Sequence, residues 1–189
     1  MESPLTPLEF ARRARKLHGR REAVVDGELR LTYAQFGARC DQWSAALAKL
    51  GVRKGDRVAT FAPNTHQHLE QYYAIPRLGA VIVPINYRLS PEDFVFVTAH
   101  SGASVLCVHG DYLDCVDGVR ERMPGVRHFV ALEGQKAGWL SYESLLERSE
   151  SLPLSPIVPL PSKPMLRMRL RSPGLWSRYC SRRERSTSW

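Results

Sequence analysis

The feature that most constrains this chain is a regular alternation, running from about residue 55 to residue 150, of short Val- and Ile-rich runs with amphipathic stretches of helical length. Residues 57–61, 80–84, 104–108 and 127–132 read as strands, and 65–78, 91–100, 112–122 and 142–150 as helices between and after them. Nearly continuous apolar strands separated by helices require parallel pairing with right-handed crossovers, because a hairpin cannot join parallel neighbours. The alternation therefore predicts an α/β layered sheet and excludes a helical bundle or an antiparallel sandwich.

Upstream of the alternation, residues 8–17 suit a short surface helix. Ala23-Val24-Val25 and Leu29-Arg30-Leu31 flank Asp26-Gly27, a dipeptide suited to a hairpin turn. Thr32 and Gln35 form a capping box, and Leu31 is placed to pack on Phe36 across it. The helix that follows carries Tyr33, Phe36, Cys40, Trp43, Leu47 and Leu50 at steps of three and four, and Gly51 ends it. Asn64, Ser90 and Ser141 are expected to cap the later helices, and Pro76 to kink or shorten the 65–78 helix.

Composition divides the chain near Glu150. The net charge is +8, but residues 1–150 carry 19 basic and 18 acidic side chains, and residues 151–189 carry eight basic and one acidic. That tail also holds six of the 13 prolines and shows neither period 2 nor period 3.6, so it is expected to be disordered. The length of 189 residues favours one packed body. Cys40, Cys107, Cys115 and Cys180 show no metal-ligand spacing and fit the reduced thiols of a cytoplasmic protein. No stretch is long and apolar enough to span a bilayer, and the Arg-rich segment 10–16 reads as a surface helix ahead of a leader.

Residues 31–35, 50–59, Ala62-Pro63-Asn64, 78–90 with its Asn86-Tyr87-Arg88-Leu89, and His100-Ser101-Gly102 occur in the order and spacing of the adenylate-forming (AMP-binding) superfamily. The resemblance runs over roughly residues 5–150 and is strongest to acyl-CoA synthetases of the fatty-acid–CoA ligase type. It implies that residues 1–150 are the N-terminal portion of the family's large domain. It also implies that 151–189 is a Pro/Arg/Ser-rich linker with an out-of-frame or non-family tail.

The full-length family activates a carboxylic acid with ATP and magnesium to an acyl-adenylate and transfers the acyl group to coenzyme A. Its Ser/Thr/Gly-rich phosphate loop and catalytic lysine should come after residue 150. Ser162-Lys163-Pro164 lacks the glycines of that loop, so this chain is expected to be inactive alone, with no catalytic residue and no cofactor of its own. The alternative is a non-catalytic binding module whose cationic tail meets nucleic acid or anionic membrane, although no specific nucleic acid is expected.

Most matched residues are explained as scaffold: Gly51, Gly79 and Gly102 end helices and Gly55-Asp56 turns into a strand. Arg88 is the candidate binding residue. It follows a strand end, where α/β proteins bind ligands, and the resemblance places an arginine of this motif near the coenzyme A phosphates. His66 and His68, two apart on a helix, point in different directions and do not make a metal pair. Asp111, Asp114 and Asp117 share a helix face, which the helix dipole explains without magnesium. Because the resembled enzymes complete this sheet with later residues, exposed apolar surface is also expected.

Overall fold

The computed structural model describes residues 6–149. The expectations about residues 151–189 lie outside the described residues.

The chain opens with α1 (Pro7–His18), a hairpin of β1 (Glu22–Asp26) and β2 (Leu29–Thr32), and α2 (Tyr33–Lys49). Five parallel strands follow: β3 (Arg57–Phe61), β4 (Val81–Pro84), β5 (Val105–Val108), β6 (His128–Ala131) and β7 (Leu140–Ser141). Their order in the sheet is β4-β3-β5-β6-β7. Helices α3 (His66–Arg77), α4 (Pro91–Ser101) and α5 (Leu113–Asp117) connect β3 through β6, and α6 (Tyr142–Glu147) follows β7. The parallel sheet with helical crossovers is the architecture the alternation predicts.

Two cores cover the two faces of the sheet. On one, Trp43 and Leu47 of α2, Ile75 of α3 and Tyr142 of α6 pack with Val58, Val105 and Val130. On the other, Phe94 of α4 and Leu113 and Val116 of α5 pack with Phe61, Leu106 and Phe129. The α3 connection and the α4 and α5 connections thus run on opposite faces. This is what one hand of crossover requires when the chain moves outward from β3 first to one side and then to the other.

The capping box at Thr32 is present: the Gln35 amide donates to the Thr32 hydroxyl and Gln35 Oε1 accepts from the Thr32 amide at 2.9 Å. Both Leu31 and Phe36 are buried in the same core. The α2 face is wider than its hydrophobic stripe, because Asp41 and Ser44 are buried too. Asp41 lies between Arg15 of α1 and Arg77 of α3, and Ser44 donates to the Ala74 carbonyl at 2.8 Å. These bonds tie α1, α2 and α3 into one layer.

Three expectations are corrected and one strand is added. The hairpin turns on Gly27 and Glu28, since Asp26 pairs with Leu29. Gly27 has φ +55° and Glu28 does not take positive φ, as a turn with glycine first requires. The cap of α3 is Thr65, whose hydroxyl accepts from the His68 amide, not Asn64. The helix expected over 112–122 is broken into α5 flanked by 3-10 turns at Gly110–Tyr112 and Arg120–Arg122, because Gly118 stops α5 after five residues. The two-residue strand β7 was not anticipated; it is too short to leave a periodic signal.

Pro76 sits in the last turn of α3, where it ends the helix and Leu78 and Gly79 close it with bonds to Ile75 and Pro76. Apolar surface is exposed at Phe10, Leu17, Val25, Val81 and Phe96. Among the described residues, no helix is long and apolar enough to cross a membrane.

Candidate functional site

In an open parallel sheet, ligands are bound beyond the carboxyl ends of the strands, where connections to either side of neighbouring strands diverge and leave a crevice. Here that point lies between β3 and β5: the chain leaves β3 toward β4 and leaves β5 toward β6. The strand-end segments 62–65, 85–90, 109–112 and 132–134 border it.

His109, the first residue after β5, is the buried centre of a polar group at this edge. Its amide donates to the Phe61 carbonyl at 3.0 Å, which locks the end of β5 to the end of β3. Its Nδ1 accepts from the Asp111 amide at 3.3 Å, so the ring proton belongs on Nε2, which faces Glu133 Oε2 at 3.2 Å. Gln67 of α3 donates to the other Glu133 oxygen at 3.2 Å. The buried Gln67 Oε1 has no partner among the described residues. An acceptor left unpaired in this position costs free energy and is open to a donor from a ligand or a later segment.

A row of aromatic rings runs along the same edge toward β4. Tyr112 packs on Phe61 with centroids 5.1 Å apart and on Tyr87 at 5.9 Å. Arg88 lies over the Tyr87 ring at 5.6 Å, and its amide donates to Asn86 Oδ1 at 3.0 Å. Arg88 is exposed. Its exposed guanidinium thus lies against a ring face at the ligand edge, an arrangement that can meet a phosphate or carboxylate.

Of the other sequence candidates, Asp111 reaches this centre, and His66, His68, Asp114 and Asp117 serve other neighbours. His66 is bound to Asp26 of the hairpin, with Nδ1 at 2.7 Å and the His66 amide also donating to Asp26 Oδ2 at 2.9 Å. The His66 backbone and ring bonds hold the Asp26 carboxyl below the usual carboxylate range. His68 meets Thr60 Oγ1 at 3.2 Å, and burial pushes its pKa down. The two histidines serve different neighbours.

Asp114 and Asp117 converge on Lys136, at 2.7 and 3.4 Å, and Asp117 accepts from Trp139 Nε1 at 2.9 Å. The acids along this segment thus anchor the loop before β7, a role the helix dipole did not suggest. Asp111 faces His109 instead, at 3.4 Å. Among the described residues, no group of three or more His, Cys, Asp or Glu is placed to hold a metal ion. Cys107 is fully buried in β5, and burial pushes its thiol pKa far up, away from nucleophile chemistry.

Sequence reasoning missed Gln67, His109 and Glu133. His109 could have been found by the rule that singled out Arg88, since it too follows a strand end. Glu133 lies 66 residues from Gln67, and no local pattern links them.

Residues 10–162 match the family model described as AMP-binding enzyme. A long-chain-fatty-acid–CoA ligase of Thermus thermophilus is 39% identical over 152 residues, covering 77% of this chain and 28% of that protein. A peroxisomal trans-cinnamate:CoA ligase of Petunia hybrida is 33% identical over 133 residues, covering 70% of this chain and 23% of that protein. A solved fatty acyl CoA synthetase of Mycobacterium tuberculosis superposes with a TM-score of 0.69 at 27% identity, covering 78% of this chain and 29% of that one. The chain thus spans between 23% and 29% of the length of these three proteins.

Proposed function

Because the chain belongs to the AMP-binding enzyme family, we propose that its described body is the N-terminal part of an acyl-CoA ligase of the fatty-acid type. The complete enzyme would activate a carboxylic acid with ATP to an acyl-adenylate, releasing pyrophosphate, and pass the acyl group to the coenzyme A thiol. A carboxylate is a poor electrophile until its oxygen becomes part of a good leaving group, and AMP is that group.

The observation that supports this reading most directly is the position of Arg88. We take this residue as the one that meets a coenzyme A phosphate, and in support it stands on the ligand edge of a parallel sheet with its charge backed by Tyr87. A guanidinium so placed would fix the phosphate and orient the cofactor, while His109, Gln67 and Glu133 keep the ends of β3, β5 and β6 in register beneath the site.

The donors that would hold magnesium and the triphosphate are not found among residues 6–149, which contain no Gly-rich phosphate loop and no metal-holding cluster. On this reading the 189-residue chain is expected not to adenylate by itself. Carboxylate-dependent ATP–pyrophosphate exchange tests this with octanoate, palmitate and cinnamate as acids. No exchange above the acid-free blank is expected, and a carboxylate-dependent signal from the purified chain would overturn the claim.

The ligase reading itself is tested on the encoding DNA. Translating past codon 150 in the other two frames should reveal the Ser/Thr/Gly-rich loop; a coding sequence without it in any frame counts against this assignment.

A further inference from the structure

One cavity of the described body is remote from the strand ends. It has a volume of about 570 Å³ and lies in the outer helical layer, between α1, α2 and α3. Its walls are apolar: Leu8 and Ala11 of α1 face Tyr33, Phe36 and Cys40 of α2 and Tyr73 of α3. Phe36 and Tyr73 meet edge to face at 5.4 Å and give one wall a fixed shape.

The charge around these walls is one-sided. Arg12, Arg15, Lys16 and Arg77 line the cavity against two acids, Glu9 and Asp41. Both acids are already engaged: Glu9 holds Arg12 at 2.7 Å, and Asp41 sits between Arg15 and Arg77. Lys16 is exposed and forms no ion pair among the described residues.

The arrangement also depends on the backbone. A Cβ on Gly37 would lie 2.7 Å from Arg15 Cδ and 3.1 Å from its Nε. The absence of a side chain on this turn of α2 lets Arg15 cross the helix and reach the buried Asp41, so its cationic head is carried to the wall of an apolar chamber. An apolar chamber of this size with a few convergent polar groups is the usual form of a small-molecule site.

We propose that this cavity binds an amphiphilic monocarboxylate, its aliphatic body between the α1 and α2 walls and its carboxylate at the Arg15 and Lys16 end. None of the lining residues belongs to the strand-end segments that carry Arg88, His109 and Glu133, so the site is separate from the proposed catalytic edge and does not rest on the ligase assignment.

The test uses the full 189-residue chain, titrated with decanoate, decanol and decyltrimethylammonium, and read by calorimetry and by amide shifts in a nitrogen–proton correlation spectrum. Decanoate should bind saturably, shift the amides of Ala11, Gly37 and Cys40, and bind at least about tenfold more tightly than the neutral or cationic decyl compound. Lys16→Glu alters only an exposed side chain and should weaken decanoate by roughly five- to tenfold while leaving decanol unchanged. Ala11→Trp should fill the chamber and abolish both, with an unchanged circular dichroism spectrum. Arg88→Ala should have no effect. No saturable decanoate binding overturns the proposal, as does equal affinity for decanol, indifference to Lys16→Glu, or loss of binding in Arg88→Ala.

Discussion

Replacing Glu70 by Gln probes how the helical layer is held to the end of the described chain. Glu70, on α3, is fully buried. It accepts from Arg39 Nε of α2 at 2.6 Å and from the Tyr142 hydroxyl of α6. Burial pushes the Glu70 carboxyl upward, opposed by the bonds from Arg39 and Tyr142. Arg39, only 22% exposed, has a second partner in the half-exposed Glu143 at 2.6 Å; burial works to neutralise its guanidinium, and the two carboxylates together outweigh that and keep it charged. Glu70→Gln keeps the shape and removes the charge, leaving Arg39 with a solvent-screened partner and Tyr142 with a neutral acceptor.

Breaking one side of a buried ion pair costs about 3–5 kcal/mol, and the surviving Glu143 contact puts this case at the lower end. At about 2–4 °C per kcal/mol for a body of this size, Tm should fall by roughly 6–12 °C. Urea unfolding followed by far-UV circular dichroism measures the loss directly. The double variant Arg39→Met with Glu70→Leu should lose less than either partner's single substitution, because no buried charge is then stranded. A Glu70→Gln loss under about 1 kcal/mol, or simple additivity in the double variant, would refute the account of this network.

Three further outcomes follow from other sites. His68 is held neutral by burial, with a pKa below its ordinary 6.5, so the unfolded chain takes up its proton first. Its stabilising share is full above about pH 6.5 and is lost as the pH falls; the urea midpoint should drop between pH 7.5 and 5.5 by less in His68→Gln than in the parent. Asp26→Asn removes the carboxylate that joins the hairpin to α3, and should cost about 1–2 kcal/mol and speed amide exchange in β1 and β2 ahead of the sheet. Its share of stability is present above about pH 3.8 and disappears below it, since the folded carboxyl is depressed. Gly102→Ala imposes a side chain at φ +64° with its Cβ 2.6 Å from an Arg57 guanidinium nitrogen, and should cost about 1–2 kcal/mol; a stabilised variant would contradict the strain argument.

What could be read from sequence here was local or periodic. The Thr32 box, the strand at 57–61, the Ser90 and Ser141 caps and the glycine after α4 each announce themselves within a few residues, and the structure has all of them. The errors are one-residue competitions or weak signals. Thr65 outcompeted Asn64 as a cap, Asp26 went to His66 and left the turn to Gly27 and Glu28, and Gly118 cut a helix whose apolar spacing looked continuous. The long-range polar contacts were invisible: Arg39 meets Glu143 across 104 residues and Tyr142 meets Glu70 across 72. Arg88 was legible only through family likeness joined to the strand-end rule. Arg15 reaches Asp41 at the wall of the cavity under α1 because Gly37 leaves room for it, which no periodicity encodes.

The strand order carries a consequence for how such a body is made. β3, the earliest of the five, lies inside the sheet with β4 on one side and β5 on the other, and β6 and β7 then take successive outer places. Each strand, as it leaves the ribosome, meets a free flank and never has to wedge between two that are already joined. The layer can therefore widen outward from its first member in the sequence of synthesis, with β4 and β7 as its two borders among the described residues.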